Sequence, residues 1–254
     1  MFNKCLRNLK IVYLFRIKFK YFSFANMYPI REVRCEEDLQ FRHPFNGLIA
    51  GPSQCGKTTL LRQILESHEQ TIAGINREII KVAWCYGKWQ PSYEIPLKGV
   101  DLKYINGMPE EEDIFGFDII ILDDLIHEIE KSRYVSHLFT AGTHHDNQSV
   151  MILTQNYYQK GEICNTLRKN THYVILFKDP GDMTIVRTMA WRMFPDNPQY
   201  FIDAFKLATS TPRGYLLVDR HQLTDDENRL RTNIVPTKET DWIFQPIGFE
   251  LIKR

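Results

Sequence analysis

The chain has 254 residues, 43% of them hydrophobic and 25% charged, with a formal net charge of +1 at pH 7. That length fits one large α/β domain or a domain with an extension, and the composition is that of a globular protein. The near-zero charge excludes a bulk electrostatic pull toward nucleic acid, so any such contact must come from a local basic patch or an assembled ring.

Five cysteines (Cys5, Cys35, Cys55, Cys85 and Cys164) are scattered with no C-x-x-C pair. Their spacing argues for a reducing compartment and against a disulfide framework or a zinc site. Residues 1–26 hold Lys4, Arg7, Lys10, Arg16, Lys18 and Lys20, no acid, and many aromatics. Basic residues interrupt every apolar run there, so no membrane span is expected. A targeting peptide or membrane-surface segment is open, and the preferred reading takes Met27 as the working start. Met27 to Gln40 is polar and charged, a lead-in with little structure of its own. Residues 1–40 are therefore expected to be a basic N-terminal arm and lead-in, compatible with disorder.

Phe45 to Ala50 is mostly apolar and reads as a short buried strand; Thr58 to His68 carries Leu60, Leu61, Ile64 and Leu65 at helical spacing. Between them, Gly51-Pro52-Ser53-Gln54-Cys55-Gly56-Lys57-Thr58 satisfies G-x-x-x-x-G-K-[ST]. Gly51 and Gly56 let such a loop curl and turn successive N–H groups inward around a phosphate, and the helix start adds the positive end of its dipole. Lys57 supplies a point charge for the β- and γ-phosphates, the Thr58 hydroxyl can ligate Mg²⁺, and Gly51 through Thr59 is the expected nucleotide-binding segment. A chance glycine-rich turn is the plainer alternative, and the flanking strand and helix weigh against it.

Glu78 to Tyr86 reads as a second buried strand. Gly87 to Gly116 reads as an irregular insert, with one short strand near Lys103 to Ile105 and an exposed acidic face at Glu110 to Asp113. In Asp118 to Asp124, four apolar residues end in two carboxylates, the pattern of a central parallel strand delivering acids at its C-terminal edge. Beside a phosphate loop, Asp123 is placed to hold Mg²⁺ directly or through water. Asp124 could then polarise the attacking water as a general base. Alone, the pattern is equally that of an acidic turn.

A helix is expected from Leu125 to about Thr140, then a strand from Ser149 to Thr154 that ends at Gln155. The Gln155 side chain can sense the γ-phosphate or orient water; a hydrogen-bonded strand-end amide is the alternative. His144-His145-Asp146 lies at the start of that strand, whereas nucleotide binds beyond the carboxyl ends of parallel strands, so a turn or partner contact is favoured over a metal. His172 to Lys178 is a fifth strand candidate, followed by a turn at Asp179-Pro180-Gly181-Asp182. Helices over Met183 to Phe194 and Gln199 to Leu207, separated by Pro195 and Pro198, precede a strand at Gly214 to Asp219. Arg168, Lys169, Arg187, Arg192, Arg229 and Arg231 are the bases available for a neighbouring phosphate or DNA, most of them as plain solvent-facing charges. The folded domain is expected over 41–236, with 237–254 as a C-terminal tail packing on it.

Lys57 and Asp123 stand 66 residues apart with the Glu78 to Tyr86 strand between them, which suggests an extra strand between the phosphate-loop strand and the Mg²⁺ strand. With Asp124 and Gln155, the expected fold is α/β: a RecA-like P-loop NTPase of the additional-strand, catalytic-glutamate type, its central mainly parallel sheet flanked by helices. No N-K-x-D motif of a GTPase is present.

The ordered series F-N-G-L-I-A-G-P-S-Q-C-G-K-T-T-L-L, I-I-I-L-D-D-L, H-H-D-N-Q-S-V-M-I-L-T-Q-N, N-T-H-Y-V-I-L-F-K-D-P, R-M-F-P, G-Y-L-L-V-D and R-L-R-T-N-I resembles FtsK–HerA-type genome-packaging ATPases. The likeness is nearest to those of Polinton/Maverick elements and adintoviruses, with poxvirus and adenovirus packaging ATPases more distant, and covers roughly Phe41 to Pro236. It implies an ATP- and Mg²⁺-dependent motor that translocates double-stranded DNA into a preformed capsid as a homo-oligomeric ring. It further implies a capsid or portal protein as partner, and a virion or host-cell nucleus or cytoplasm as location, not secretion. By position, Lys57 and Thr58 match the family's phosphate and Mg²⁺ residues, Asp123 its Mg²⁺ aspartate, Asp124 its catalytic acid and Gln155 its strand-end sensor. Such a ring is expected to supply an arginine finger in trans; Arg168 is the first candidate and Arg192 the second. Asn165-Thr166 stands where relatives commonly read R-T, and Asp179-Pro180-Gly181-Asp182 where they often read N-P-R-D. The open alternatives are another P-loop machine (a helicase or AAA+ remodeller) and a non-catalytic nucleotide-binding assembly factor. The joint presence of Lys57, Thr58, Asp123 and Asp124 argues against the last.

Overall fold

The computed structural model describes residues 30–33, 39–139, 147–157, 161–235 and 241–244. In chain order the elements begin with β1 (Ile30–Val33), β2 (Phe41–Arg42), β3 (Asn46–Ala50), α1 (Lys57–Glu66), α2 (His68–Thr71), β4 (Ile72–Ala73) and β5 (Ile80–Tyr86). Next come β6 (Val100–Asn106), α3 (Glu111–Ile114), β7 (Ile119–Asp123), α4 (Ile126–Ile129), α5 (Arg133–His137), β8 (Ser149–Thr154) and α6 (Glu162–Asn170). The chain continues through β9 (Tyr173–Phe177), α7 (Thr184–Met193), α8 (Pro198–Ala208), β10 (Tyr215–Asp219), β11 (Leu230–Thr232) and β12 (Asp241–Phe244).

Ten strands form one sheet in the order β1-β12-β11-β10-β9-β3-β8-β7-β5-β6. Every pairing from β9 to β6 is parallel, and every pairing from β9 back to β1 is antiparallel. The order β9-β3-β8-β7-β5, with a phosphate loop leaving β3, is that of an additional-strand P-loop NTPase with a mainly parallel central sheet. The inserted strand, however, is β8. The strand expected to fill that place, β5, pairs with β7 on its far side.

The central strands are apolar throughout because both faces are covered. All five residues of β7 are buried; Ile119 and Ile121 join one cluster, Ile120 and Leu122 the other. On the first face α1 contributes Leu60, Leu61, Ile64 and Leu65, packed with Ile49 and the fully buried Trp84. On the second, Leu167 of α6, Val186 and Met189 of α7, and Phe201 and Phe205 of α8 cover Leu48, Ala50 and Ile152. Burial of each such large side chain stabilises the fold by about 1.5–3 kcal/mol. Among the described residues no helix is long and apolar enough to cross a membrane.

Several elements differ from the sequence reading. The insert carries β6, seven residues long, where three were expected. It is an edge strand, with Asp101 and Lys103 turned outward, so only part of it reads as apolar. The acidic run is the first turn of α3, where Glu110 and Asp113 form a reciprocal capping box and the acids complement the helix dipole. The single helix expected after Asp124 is two, because Ser132 caps a new start by accepting from the Val135 N–H. Helix α6 was not expected at all. The lead-in supplies β1, which pairs with β12 of the tail, so both ends of the chain add strands to the sheet. His144-His145-Asp146 lies outside the described residues.

Two of the six bases, most of which were expected to face solvent, are structural. Arg231 is 1% exposed; it pairs with Asp219 at 2.6 Å and donates to the Leu39 carbonyl. Arg229 pairs with Asp226 at 2.7 Å and donates to the carbonyls of Asp219 and His221.

Candidate active site

Because β9, β3, β8, β7 and β5 are parallel, their carboxyl ends share one edge, the place where such sheets present ligand-binding loops. Ala50 pairs with Thr154, Leu153 with Asp123, and Asp123 with Tyr86. The ladder continues one residue further, with Gly51 N donating to Thr154 O (3.2 Å) and Asp124 N to Leu153 O (3.3 Å). The start of the phosphate loop, the two acids and Gln155 therefore stand side by side.

The loop is shaped by its glycines. Gly56 has φ 111, and a Cβ on Gly51 would lie 2.6 Å from Phe177 Cβ and 2.9 Å from Cys55 Sγ. Lys57 Nζ donates to the carbonyls of Gly51 (2.8 Å) and Pro52 (2.9 Å), which sets its ammonium inside the curl of the loop. Burial pushes the Cys55 thiol upward, against the opposing pull of Lys57, so at neutral pH it is a protonated packing group.

Asp123 is only 4% exposed. Its Oδ2 accepts a 2.7 Å hydrogen bond from the Tyr93 hydroxyl, and the Trp84 indole N–H, buried without a hydrogen-bond partner, lies near enough to favour the charged form. Burial holds the Asp123 carboxyl above the usual carboxylate range. The Tyr93 and Trp84 contacts oppose that rise, Asp124 adds to it, and Lys57 opposes it. Burial and the neighbouring Asp123 push the Tyr93 phenol well above its ordinary value, so it acts as a donor. Among the described residues the Tyr93 bond is the only hydrogen bond that the Asp123 carboxylate makes. Asp124 is exposed and held in the left-handed region at φ 59, and Gln155 Nε2 reaches its Oδ1 at 3.5 Å. One acid is thus buried and anchored while the next faces solvent. The two carboxylates are placed for different work.

These donors fit a magnesium nucleotide. Mg²⁺ keeps several waters and takes one or two protein oxygens plus substrate phosphates; the hydroxyl of Thr58, second residue of α1, and the Asp123 carboxylate are oxygens of that kind. Among the described residues no cluster of three or more His, Cys, Asp or Glu could hold a metal by itself. Gly51, Gln155, Phe177, Asp179 and Asp182 line a crevice beside the loop.

The structure brings Lys57, Asp123, Asp124 and Gln155 together; Arg168 is not among them. Arg168 lies in the last turn of α6, and its guanidinium donates to the Tyr157 carbonyl at 3.3 Å and to the Asn165 side chain. Arg192 is exposed in the last turn of α7. Asp179 and Asp182 accept from the backbone N–H groups of Gly181 and Thr184, and so shape the turn into α7. The sequence reading missed Tyr93 and Trp84. Tyr93 stands in a 3₁₀ turn opened by Pro91, inside the stretch read as irregular, and no local pattern points from it to Asp123.

No protein-family model matches the chain, and no curated protein matches it. Among solved structures the chain is similar to the genome packaging NTPase B204 from Sulfolobus turreted icosahedral virus 2. In its complex with AMP the identity is 12% over 71% of this chain and 95% of that one, with a TM-score of 0.44. In its complex with ATP-gammaS the figures are 14%, 81%, 98% and 0.43. The flagellar accessory protein FlaH from Methanocaldococcus jannaschii is 16% identical over 56% of this chain and 76% of that one, with a TM-score of 0.41.

Proposed function

We propose that this chain hydrolyses ATP and uses the energy to translocate double-stranded DNA, packaging a viral or Polinton-like genome into a capsid as a homo-oligomeric ring. The observation that carries the hydrolytic part is the convergence of Lys57, Asp123, Asp124 and Gln155 at one sheet edge, beside a glycine loop that can wrap phosphate. The DNA and capsid part rests on the ordered motif series over Phe41 to Pro236.

Thr58 and Asp123 would hold Mg²⁺, which when bound neutralises charge on the β- and γ-phosphates. Lys57 exchanges its two loop carbonyls for phosphate oxygens, so its positive charge needs no large movement to engage. Tyr93 fixes the orientation of Asp123 through one carboxylate oxygen and leaves the other to face the site. Asp124 takes a proton from the attacking water as that water's oxygen bonds to the γ-phosphorus and the bond to the bridging oxygen breaks. Gln155 holds the Asp124 carboxylate and orients the water. Arg168 is the residue proposed to reach a neighbour's nucleotide, which requires it to leave Tyr157 and Asn165.

A phosphate-release assay with and without duplex DNA tests this reading. Wild-type protein is expected to turn over faster with DNA, and Asp124→Asn to lose turnover by about 100-fold or more while nucleotide affinity is kept. Hydrolysis that ignores DNA would remove the motor reading, and unchanged turnover in Asp124→Asn would remove Asp124 as the base.

A further inference from the structure

The antiparallel half of the sheet also reaches the phosphate loop. Strand β10 runs against β9 with Tyr215 opposite Phe177, so its first residue lies at the edge where the parallel strands end. The turn that feeds it is tightly built: Thr209 Oγ1 donates to Phe205 O (2.7 Å) and Gly214 N to Thr211 O (3.0 Å). A Cβ on Gly214 would come within 2.4 Å of the Ala208 carbonyl oxygen. This turn sets the aliphatic stem of Arg213 against Gly56. Its Cγ, Cβ and Cδ lie 3.6, 3.7 and 3.7 Å from where a Cβ on Gly56 would stand.

Arg213 is exposed, and its guanidinium makes no hydrogen bond or ion pair among the described residues. Its backbone is left-handed, with φ 62. Five non-glycine residues are so held among the described residues, and three of them (Gln54, Asp124 and Arg213) belong to this one edge. Strained backbone gathers where a fold must aim a side chain.

We propose that Arg213 binds the nucleotide held by the phosphate loop of its own chain, its guanidinium donating to a phosphate oxygen on the Gly56 side of the loop. The inference rests on the nucleotide-site reading above and adds a cationic contact from the same subunit. The guanidinium starts at the next atom beyond Cδ, and the stem stands beside Gly56, so the donors are within a short reach of the loop. Its planar donor set matches phosphate oxygens two at a time, which the Lys57 ammonium cannot do. A finger supplied by a neighbour would need assembly; this contact needs one chain.

The test is fluorescence titration of mant-ATP with Mg²⁺ onto the full chain at a protein concentration low enough to keep it monomeric. The set is wild type, Arg213→Asn and Arg213→Lys, since asparagine tolerates the left-handed backbone and spares the fold. Expected is binding by wild type, an affinity loss of about tenfold in Arg213→Asn, as for a hydrogen bond to a charged group, and partial recovery in Arg213→Lys. Thermal unfolding of the three nucleotide-free proteins is expected to coincide. Equal affinity of wild type and Arg213→Asn overturns the inference while leaving the nucleotide site in place. Equal loss in both variants assigns a structural role and also overturns it. A wild type that fails to bind mant-ATP removes the nucleotide-site reading, and this inference with it.

Discussion

Deleting the Tyr93 hydroxyl isolates the one contact that orients the proposed magnesium ligand. In Tyr93→Phe the ring keeps its packing against Trp84, Tyr86, Trp89 and Tyr104, whose centroids lie 5.4, 5.7, 5.3 and 5.0 Å away. What is lost is the 2.7 Å hydrogen bond to Asp123 Oδ2. Tyr93 is 3% and Asp123 4% exposed, so bulk water does not readily replace the missing donor. A hydrogen bond to a charged group contributes about 1.5–3 kcal/mol. For a domain of this size each kcal/mol shifts the unfolding midpoint by about 2–4 °C, which gives a loss of roughly 3–12 °C. The functional effect is separate: a carboxylate that can rotate holds a metal less well, and loss of such a supporting contact lowers metal affinity or activity about 10–100-fold. Scanning calorimetry reads the first effect. Phosphate release titrated with Mg²⁺ reads the second, as a rise in the Mg²⁺ needed for half-maximal rate. A variant with wild-type stability and an unshifted Mg²⁺ dependence would show that Tyr93 does not hold Asp123 in solution.

The buried Arg231–Asp219 pair predicts an asymmetric response. Arg231→Met leaves the Asp219 carboxylate at a 2% exposed position with no cation beside it, held by the His221 N–H and the Thr224 hydroxyl, and should cost about 3–5 kcal/mol in urea unfolding, whereas adding Asp219→Asn, which removes the charge and still accepts from the His221 N–H, should restore part of it; a single variant within about 1 kcal/mol of wild type would contradict this. Mild acid should also destabilise the fold. Burial pushes His43 and His221 below the ordinary value of 6.5; Asp118 and the Asn147 backbone oppose that shift at His43 while Arg77 adds to it, and at His221 Asp219 opposes it while Arg42 and Arg229 add to it. Between their lowered folded values and 6.5 the unfolded chain binds more protons than the folded one, so this stability is complete above 6.5 and is lost as pH falls. Urea midpoints at about pH 7.5 and 5.5 should differ, and His43→Asn should shrink the gap; an unchanged gap would remove His43 from the effect.

The parallel core was readable because strands covered on both faces must be apolar at every position, and β7, β8 and β9 carry no polar alternation to confuse with helix. The phosphate loop was readable because its glycines are set by local geometry. The spatial order was reached for a faulty reason: β5 intervenes between Lys57 and Asp123 in sequence, but the strand between them in space is β8, which comes later in the chain. Only the long-range pairing of β8 with both β3 and β7 decides that. Helix α6 was missed because in E-I-C-N-T-L-R-K-N only Cys164 and Leu167 are fully buried, too little to mark a face. Nothing local singled out Arg231 among the six bases, because it is a charge inside a polar run whose partners are Asp219 on the neighbouring strand and Leu39, 192 residues away. Tyr93 and Arg213 share a feature that explains why no motif contains them. Each reaches the edge from outside the strand–loop–helix units that build it, Tyr93 on a turn after β5 and Arg213 on the turn into an antiparallel strand. Apart from Arg213, the residues proposed to touch phosphate directly are therefore the ones a linear pattern can hold. Those that fix or supplement them depend on how the sheet closes around the site, so their substitution should alter affinity and metal dependence while the loop itself stays intact.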